Sequence, residues 1–213
     1  MPKELIVLVA DKSMKVSLDT VLGRHQALGI RPLRPADYDV IVQINYDSSV
    51  LLSAHDFLRS QSHRYRHALV LCDRHGCGRE DWSREELETD LENRLRLCGW
   101  QSRSAAVVID PELEVWMWTD SPHLDEILGW RGRRPGLREW MREKGFWPEE
   151  HAKPDAPQRC LDEALYCVQK PRSSALFRAV AERVSLRRCQ DPAYLKLVAT
   201  LRAWFGSRRG NNP

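Results

Sequence analysis

The chain has 213 residues, 42% of them hydrophobic and 30% charged, with a formal net charge of +3. These are the proportions of a soluble globular protein, and no run reaches the ~18 apolar residues that a membrane span needs. The length suits one sizeable α/β domain with a helical appendage better than two small domains sharing an interface.

The opening MPKELIVLVADK is too short in its apolar part for the core and cleavage region of a signal peptide, so Leu5–Ala10 is expected as a first strand and the cytoplasm as the location. Helical spacing follows from Ser13 to Leu28, ending at Gly29. A second strand is expected at 40–44, and a helix opens at Ser48 or Ser49 and runs through Leu58. Ala68–Cys72 reads as a third strand, closed by Asp73. Ser83 and Glu86 match a capping box for a helix running to about Leu97 and stopped by Gly99. Ala105–Ile109 is the fourth strand, and strands alternating with helices imply a mainly parallel sheet with helices on its faces.

No comparable strand follows Asp120. The segment from Ser121 to Trp147 is rich in Trp, Arg, Gly and Pro, with a short helix carrying Trp140, and Lys153–Pro157 reads as a hinge. Three helices are expected near 158–168, 173–183 and 192–205. The organisation is therefore an α/β domain over 1–120, a mostly helical extension over 121–205 and a disordered tail over 206–213. Residues 1–120 carry 15 Lys/Arg against 19 Asp/Glu, a balance of −4, whereas 121–213 carry 18 against 11, a balance of +7. A basic extension of this kind attracts phosphate backbones, and reads equally as solvated helix surface. The six cysteines include no CxxC pair, so free structural thiols are expected, and His75 with Cys77 is two ligands short of a zinc site.

The stretch SAAVVIDPELEVWMWTD (Ser104–Asp120) ends an apolar strand in a cluster of acids, Asp110, Glu112 and Glu114. It reads equally as the acidic first turn of a solvated helix and as a ligand site, because open α/β sheets bind ligands at the carboxyl ends of their strands. Asp11 follows the first strand and Asp73 the third, so three strand ends could bring carboxylates to one edge. Acids gathered there repel unless a divalent cation neutralises them, and Mg²⁺ uses one or two carboxylates plus waters and phosphate oxygens. Such a centre serves phosphoryl transfer or phosphodiester cleavage.

The order of these elements, a first strand ending in an acid, a third ending in Asp73, and PELEVW, resembles Toprim-like proteins. The likeness is to the bacterial defence-island groups related to RloB and the OLD nucleases. Their corresponding element reads Pro, two residues, Glu, one residue, Trp, matched by Pro111, Glu114 and Trp116. The end of the chain, from PRSSALFRAVAERVSL to LRAWF, is similar to their helical end, so the resemblance covers most of the sequence. More narrowly, the chain resembles the small Toprim-like component of methylation-associated anti-phage defence systems.

The resemblance implies a Mg²⁺ or Mn²⁺ centre with Asp11, Asp73, Asp110 and Glu114 as ligands, Asp73 and Glu114 as the principal catalytic groups and His75 as auxiliary acid or base. Two departures weigh against catalysis. Active members carry Glu in a VEGxTD context where this chain has VADKSM, and DxD where it has Asp73, Arg74 and His75. Imidazole suits Mg²⁺ poorly; Asp81, eight residues beyond Asp73, could compensate from the loop and reads also as a surface loop acid.

Arg131, Arg133, Arg134 and Arg138 stand among Trp130, Trp140 and Trp147, a composition that fits a stacking and phosphate-binding surface and equally a partner interface. The expected function is a component of a bacterial anti-phage defence system, binding DNA, RNA or other subunits of that system through a degenerate Toprim-like domain. The alternatives are a metal-dependent nuclease and a phosphotransfer or nucleotide-processing enzyme.

Overall fold

The computed structural model describes residues 2–43, 46–119, 121–185 and 189–206. Its centre is a four-stranded, all-parallel sheet of β1 (Lys3–Val9), β2 (Tyr38–Val42), β3 (Tyr65–Asp73) and β4 (Ser104–Ile109), in the order β2-β1-β3-β4. The runs LIVLV and ALVLC are buried on both faces, which is what strands sandwiched between helices require. Helices α1 (Lys12–Gly23), α2 (His25–Leu28), α3 (Tyr46–Arg59) and α4 (Arg84–Leu95) make the connections. Beyond β4 come α5 (Pro122–Leu128), α6 (Leu137–Glu143), α7 (Pro157–Cys167), α8 (Ser174–Arg183) and α9 (Pro192–Phe205).

The mainly parallel α/β sheet and helical carboxyl-terminal region are thus as expected, with local differences. The second strand is Tyr38–Val42, and the Ile44 end of the expected strand lies outside the described residues. The helix expected over 13–28 breaks at Arg24 (φ −89°, ψ 44°), whose guanidinium donates to the carbonyls of Ala181 and Val184 at 2.6 and 2.8 Å. A long-range anchor has overridden the local period. The helix after Ser83 has its capping box but ends at Leu95, and the chain then turns through Gly99 at φ +89°. The expected tail lies outside the described residues except for Gly206, which bridges to Ile30.

Chain order and sheet order together place a switch point between β1 and β3, because the chain leaves β1 towards β2 and then crosses back to continue through β3 and β4. Side chains occupy backbone groups on both open edges of the sheet. At β4, Glu92 and Glu88 accept from the backbone N–H groups of Ala106 and Val108, each at 3.0 Å. Lys196 from α9 then binds Glu88 at 3.1 Å and Glu92 at 2.8 Å, and Arg84 chelates Glu88. At β2, Lys15 donates to the Val40 carbonyl at 2.6 Å. Exposed edge donors and acceptors invite strand addition, and these contacts occupy two donors of β4 and one acceptor of β2.

The helical region shares one continuous core with the sheet. Indole N–H groups stitch it together: Trp118 to the Pro157 carbonyl at 3.0 Å, Trp130 to that of Ala164 at 3.3 Å and Trp147 to that of His151 at 2.9 Å. The six cysteines are all unpaired, five of them buried and Cys167 exposed.

Glu88 is 4% exposed and serves two cations and a strand donor, so Glu88→Ala strands the Val108 N–H and leaves Arg84 with Glu85 and Lys196 with Glu92 as remaining partners. Breaking a buried ion pair on one side costs about 3 kcal/mol or more. Urea unfolding of Glu88→Ala should show a loss of that size, and a loss under ~0.5 kcal/mol would mean the edge seal contributes nothing.

Candidate functional site

The carboxyl edge of the sheet gathers acids from four segments. Asp11 follows β1 and caps α1, its Oδ1 accepting from the Met14 N–H at 2.7 Å. Asp47 stands in the first turn of α3 and accepts from the Asp73 N–H at 2.7 Å. Asp73 is the last residue of β3. Glu112 and Glu114 come from the segment after β4, where Leu113–Trp116 forms a short 3-10 turn. Of the acids expected at this edge, Asp11, Asp73, Glu112 and Glu114 act electrostatically on one another, whereas Asp110 faces Arg74. Asp47 belongs to the edge too, and only its position just after the second strand could have marked it.

These groups feel one another. Burial, and then the charges of Asp47, Glu114, Asp11 and Glu112, push the Asp73 carboxyl well above its ordinary range. Its Oδ1 is buried and has no hydrogen-bond partner among the described residues, so a neutral carboxyl is the state that suits it. Burial also raises Asp47, aided by Asp11 and opposed by the bond from Asp73 N–H. Glu114, 3% exposed, is pushed up to about 7, because burial outweighs the opposing charge of Arg172.

The remaining acids are occupied by the chain's own donors. Arg172, between α7 and α8, binds Glu114 through Nη2 and Asp162 through Nη1 at 3.2 Å, with its guanidinium 5.5 Å from the Phe177 ring. Glu112, 5% exposed, accepts from the Gln158 N–H at 2.6 Å, and its other oxygen lies 3.1 Å from His75 Nδ1. Asp110 faces Arg74 at 3.2 Å, and that guanidinium also reaches the carbonyls of Trp82 and Glu80. His75 therefore attends Glu112 with most of its ring exposed, and Asp81 is exposed in the loop before α4.

A Mg²⁺ or Mn²⁺ ion fits this arrangement badly. Among the described residues no group of three or more His, Cys, Asp or Glu side chains is placed to hold a metal. Of the four expected ligands, Glu114 and Asp110 are matched to guanidinium groups and Asp11 is spent on its helix cap. Among the described residues, Asp73 Oδ1 is the oxygen of these four acids that is both buried and without a hydrogen-bond partner.

The expected binding arginines lie apart from this edge. Arg131, Arg133 and Arg134 are exposed in the turn between α5 and α6. Arg131 lies 3.7 Å from Glu126, Arg133 covers Trp130 at 5.4 Å and Arg138 covers Trp147 at 4.4 Å. Trp130 and Trp147 are 2% and 3% exposed, so these indoles are core anchors roofed by arginines and offer no face on which a base could stack. Sequence spacing cannot separate a buried Trp beneath an Arg from an exposed pair.

Comparison with protein-family models, curated proteins and solved structures finds no match to this chain. Among the described residues no helix is long and apolar enough to cross a membrane.

The Glu114 proton gives the edge a pH signature. Its folded pKa of about 7 lies above the ordinary 4.5, so the folded state holds that proton more tightly. The resulting stability is full below about pH 4.5 and is lost as pH rises through about 7, a change of roughly 3 kcal/mol. Unfolding free energies near pH 5 and pH 8 should differ more in the wild type than in Glu114→Gln. Equal differences in the two proteins would contradict the assignment.

Proposed function

We propose that this chain is a non-catalytic component of a bacterial anti-phage defence system, a degenerate Toprim-like domain whose basic helical extension binds nucleic acid. The observation that carries the non-catalytic reading is the pairing of Glu114, the acid of the PELEVW element, with Arg172 of the same chain. A guanidinium held there takes the charge complementarity that a divalent cation would need. The departures from VEGxTD and DxD point the same way.

Binding rests on the exposed Arg131, Arg133 and Arg134, with Arg138 beside them, in a half of the chain that carries the basic excess. With Trp130 and Trp147 buried, contact is to the phosphate backbone and is electrostatic. Another subunit of the defence system is the competing occupant of this surface, since Arg is common at interface hot spots.

A second reading, a divalent-metal nuclease, draws support from the buried, unpartnered Oδ1 of Asp73. It requires Arg172 to leave Glu114 when substrate arrives. Phosphotransfer or nucleotide processing on the same edge requires the same departure.

A cation that binds only the folded state raises stability by about 2.7 kcal/mol when its free concentration is near a hundred times its dissociation constant. On the non-catalytic reading the wild-type melting temperature is unmoved by millimolar Mn²⁺, and Asp73→Asn melts no lower than the wild type because Oδ1 gives up no bond. A Mn²⁺-dependent rise that Asp73→Asn abolishes would establish the metal reading instead. For binding, duplex DNA affinity should fall with salt. The Arg131/Arg133/Arg134 triple alanine variant should flatten that log–log slope by up to ~0.9 per lost phosphate contact. Unchanged DNA binding in a folded triple variant would assign the surface to a protein partner.

A further inference from the structure

An all-parallel sheet sends the amino end of every strand to one side, so the residues that open the four strands share a face opposite the acidic edge. Most of the charged ones are bases. The segments 3–4, 31–39, 62–67 and 103 carry Lys3, Arg31, Arg34, Arg64, Arg66 and Arg103 against Glu4, Asp37 and Asp39, six bases to three acids. The last turn of α9 ends on the same face, where the Arg31 N–H donates to the Phe205 carbonyl at 2.8 Å.

The acids arrange these bases without cancelling them. Glu4 holds two guanidinium groups side by side, Arg31 at 2.7 Å and Arg66 at 3.3 Å, which leaves one positive charge over. Asp39 takes Lys3 at 2.7 Å and the Tyr65 hydroxyl at 2.6 Å, and Asp37 matches Arg34 at 3.0 Å. Arg64 is exposed and donates to the neutral Gln61 side chain at 3.2 Å. Arg103 is fixed by the carbonyls of Ser62, Tyr65, Arg66 and Gly99, which hold its guanidinium but leave its charge in place. Burial first, and then the charges of Arg103, Arg66 and Arg31 against the opposing charge of Glu4, keep the His67 imidazole below its ordinary range. Three guanidinium groups are thus felt at one point. The Arg66 and Arg31 side chains are 56% and 42% exposed, so both present donors to solvent.

Charge laid out this way fits a phosphate backbone. The exposed large apolar side chains among the described residues are Leu52, Leu97, Tyr166 and Leu195, and none belongs to these segments. They therefore offer a protein partner no apolar anchor and a membrane no side chain to insert. Nucleic acid needs neither, because its phosphates bind through charge and counterion release, and guanidinium groups match phosphate oxygens with two parallel N–H donors.

We propose that the amino end of the sheet is a second phosphate-binding face, on which Arg31, Arg64 and Arg66 contact the backbone of duplex nucleic acid while Arg103 supplies fixed positive potential behind them. The partner rests on the nucleic-acid reading above, and the residues are none of those used there.

The test is fluorescence anisotropy of a labelled DNA duplex of about 20 base pairs, titrated with the intact protein between about 50 and 200 mM salt. The Arg64→Gln/Arg66→Gln variant should flatten the log–log salt slope by up to ~0.9 per lost contact and weaken binding about tenfold or more at the low-salt end. Glu4 keeps Arg31 in that variant, so its melting temperature should match the wild type. Glu4→Gln releases both guanidinium groups and should tighten binding about twofold or more at low salt, a gain that misfolding cannot mimic. Glu85→Gln, the same change of charge in the first turn of α4, should leave the affinity where it was. Wild-type affinity and slope in the folded Arg64→Gln/Arg66→Gln variant, or no gain in Glu4→Gln, would overturn the proposal. If the Arg131/Arg133/Arg134 variant alone lost binding, the functional reading would stand without this face, and a wild type that binds no duplex would overturn both.

Discussion

Carboxylates crowded at the carboxyl ends of parallel strands must be neutralised, and in this protein the second half of the chain does much of that work. Asp11, Asp47, Asp73, Glu112 and Glu114 act on one another at the switch point between β1 and β3. The Gln158 N–H reaches Glu112 and the Arg172 guanidinium reaches Glu114, so the helical region is both the cover of the acidic edge and its counter-charge. What neither donor satisfies is left to a proton, which burial and like charge favour on Asp73. A pair buried this deeply does not guarantee net stability, yet breaking one side of it is costly.

The same division of labour recurs around the sheet. Lys196 of α9 completes the Glu88–Glu92 seal along β4, Arg24 reaches from the end of α1 to carbonyls at the end of α8, and Trp116 ties the acidic segment to Asp191 at the start of α9. Each is a polar bond from an element of one half to an element of the other, laid over a shared apolar core. Separate folding of residues 1–120 would expose that core and leave Glu112, Glu114, Glu88 and Glu92 without these partners. Docking of the helices is therefore a condition for the edge chemistry, whatever that edge binds.

Much of this was legible in the sequence where physics is local. The buried strands declared themselves as apolar runs, the Ser83–Glu86 capping box is present, and acids placed directly after strands had to lie at one sheet edge once the strands were parallel. Long-range partners were not legible. Nothing near Glu114 in sequence points to Arg172, 58 positions away, and without that partner the acidic cluster looks like a metal centre. The tryptophans misled for a related reason: Trp130 and Trp147 stand beside arginines, but their indole N–H groups turn inward to backbone carbonyls. The helix expected to run on to Leu28 fails at Arg24 because two distant carbonyls hold its side chain. In each case a tertiary contact decided what the local pattern left open.

The central claim is that Arg172 is the built-in counter-cation of the acidic edge, and a double-mutant cycle of Glu114→Gln and Arg172→Gln, followed by urea unfolding near pH 8 where Glu114 is ionised, tests it most directly. A desolvated, hydrogen-bonded ion pair should give a coupling energy of about 1.5 to 3 kcal/mol. Coupling within ~0.3 kcal/mol of zero would mean that the guanidinium does not neutralise the cluster, and the acidic edge would again be open to a cation from outside the chain.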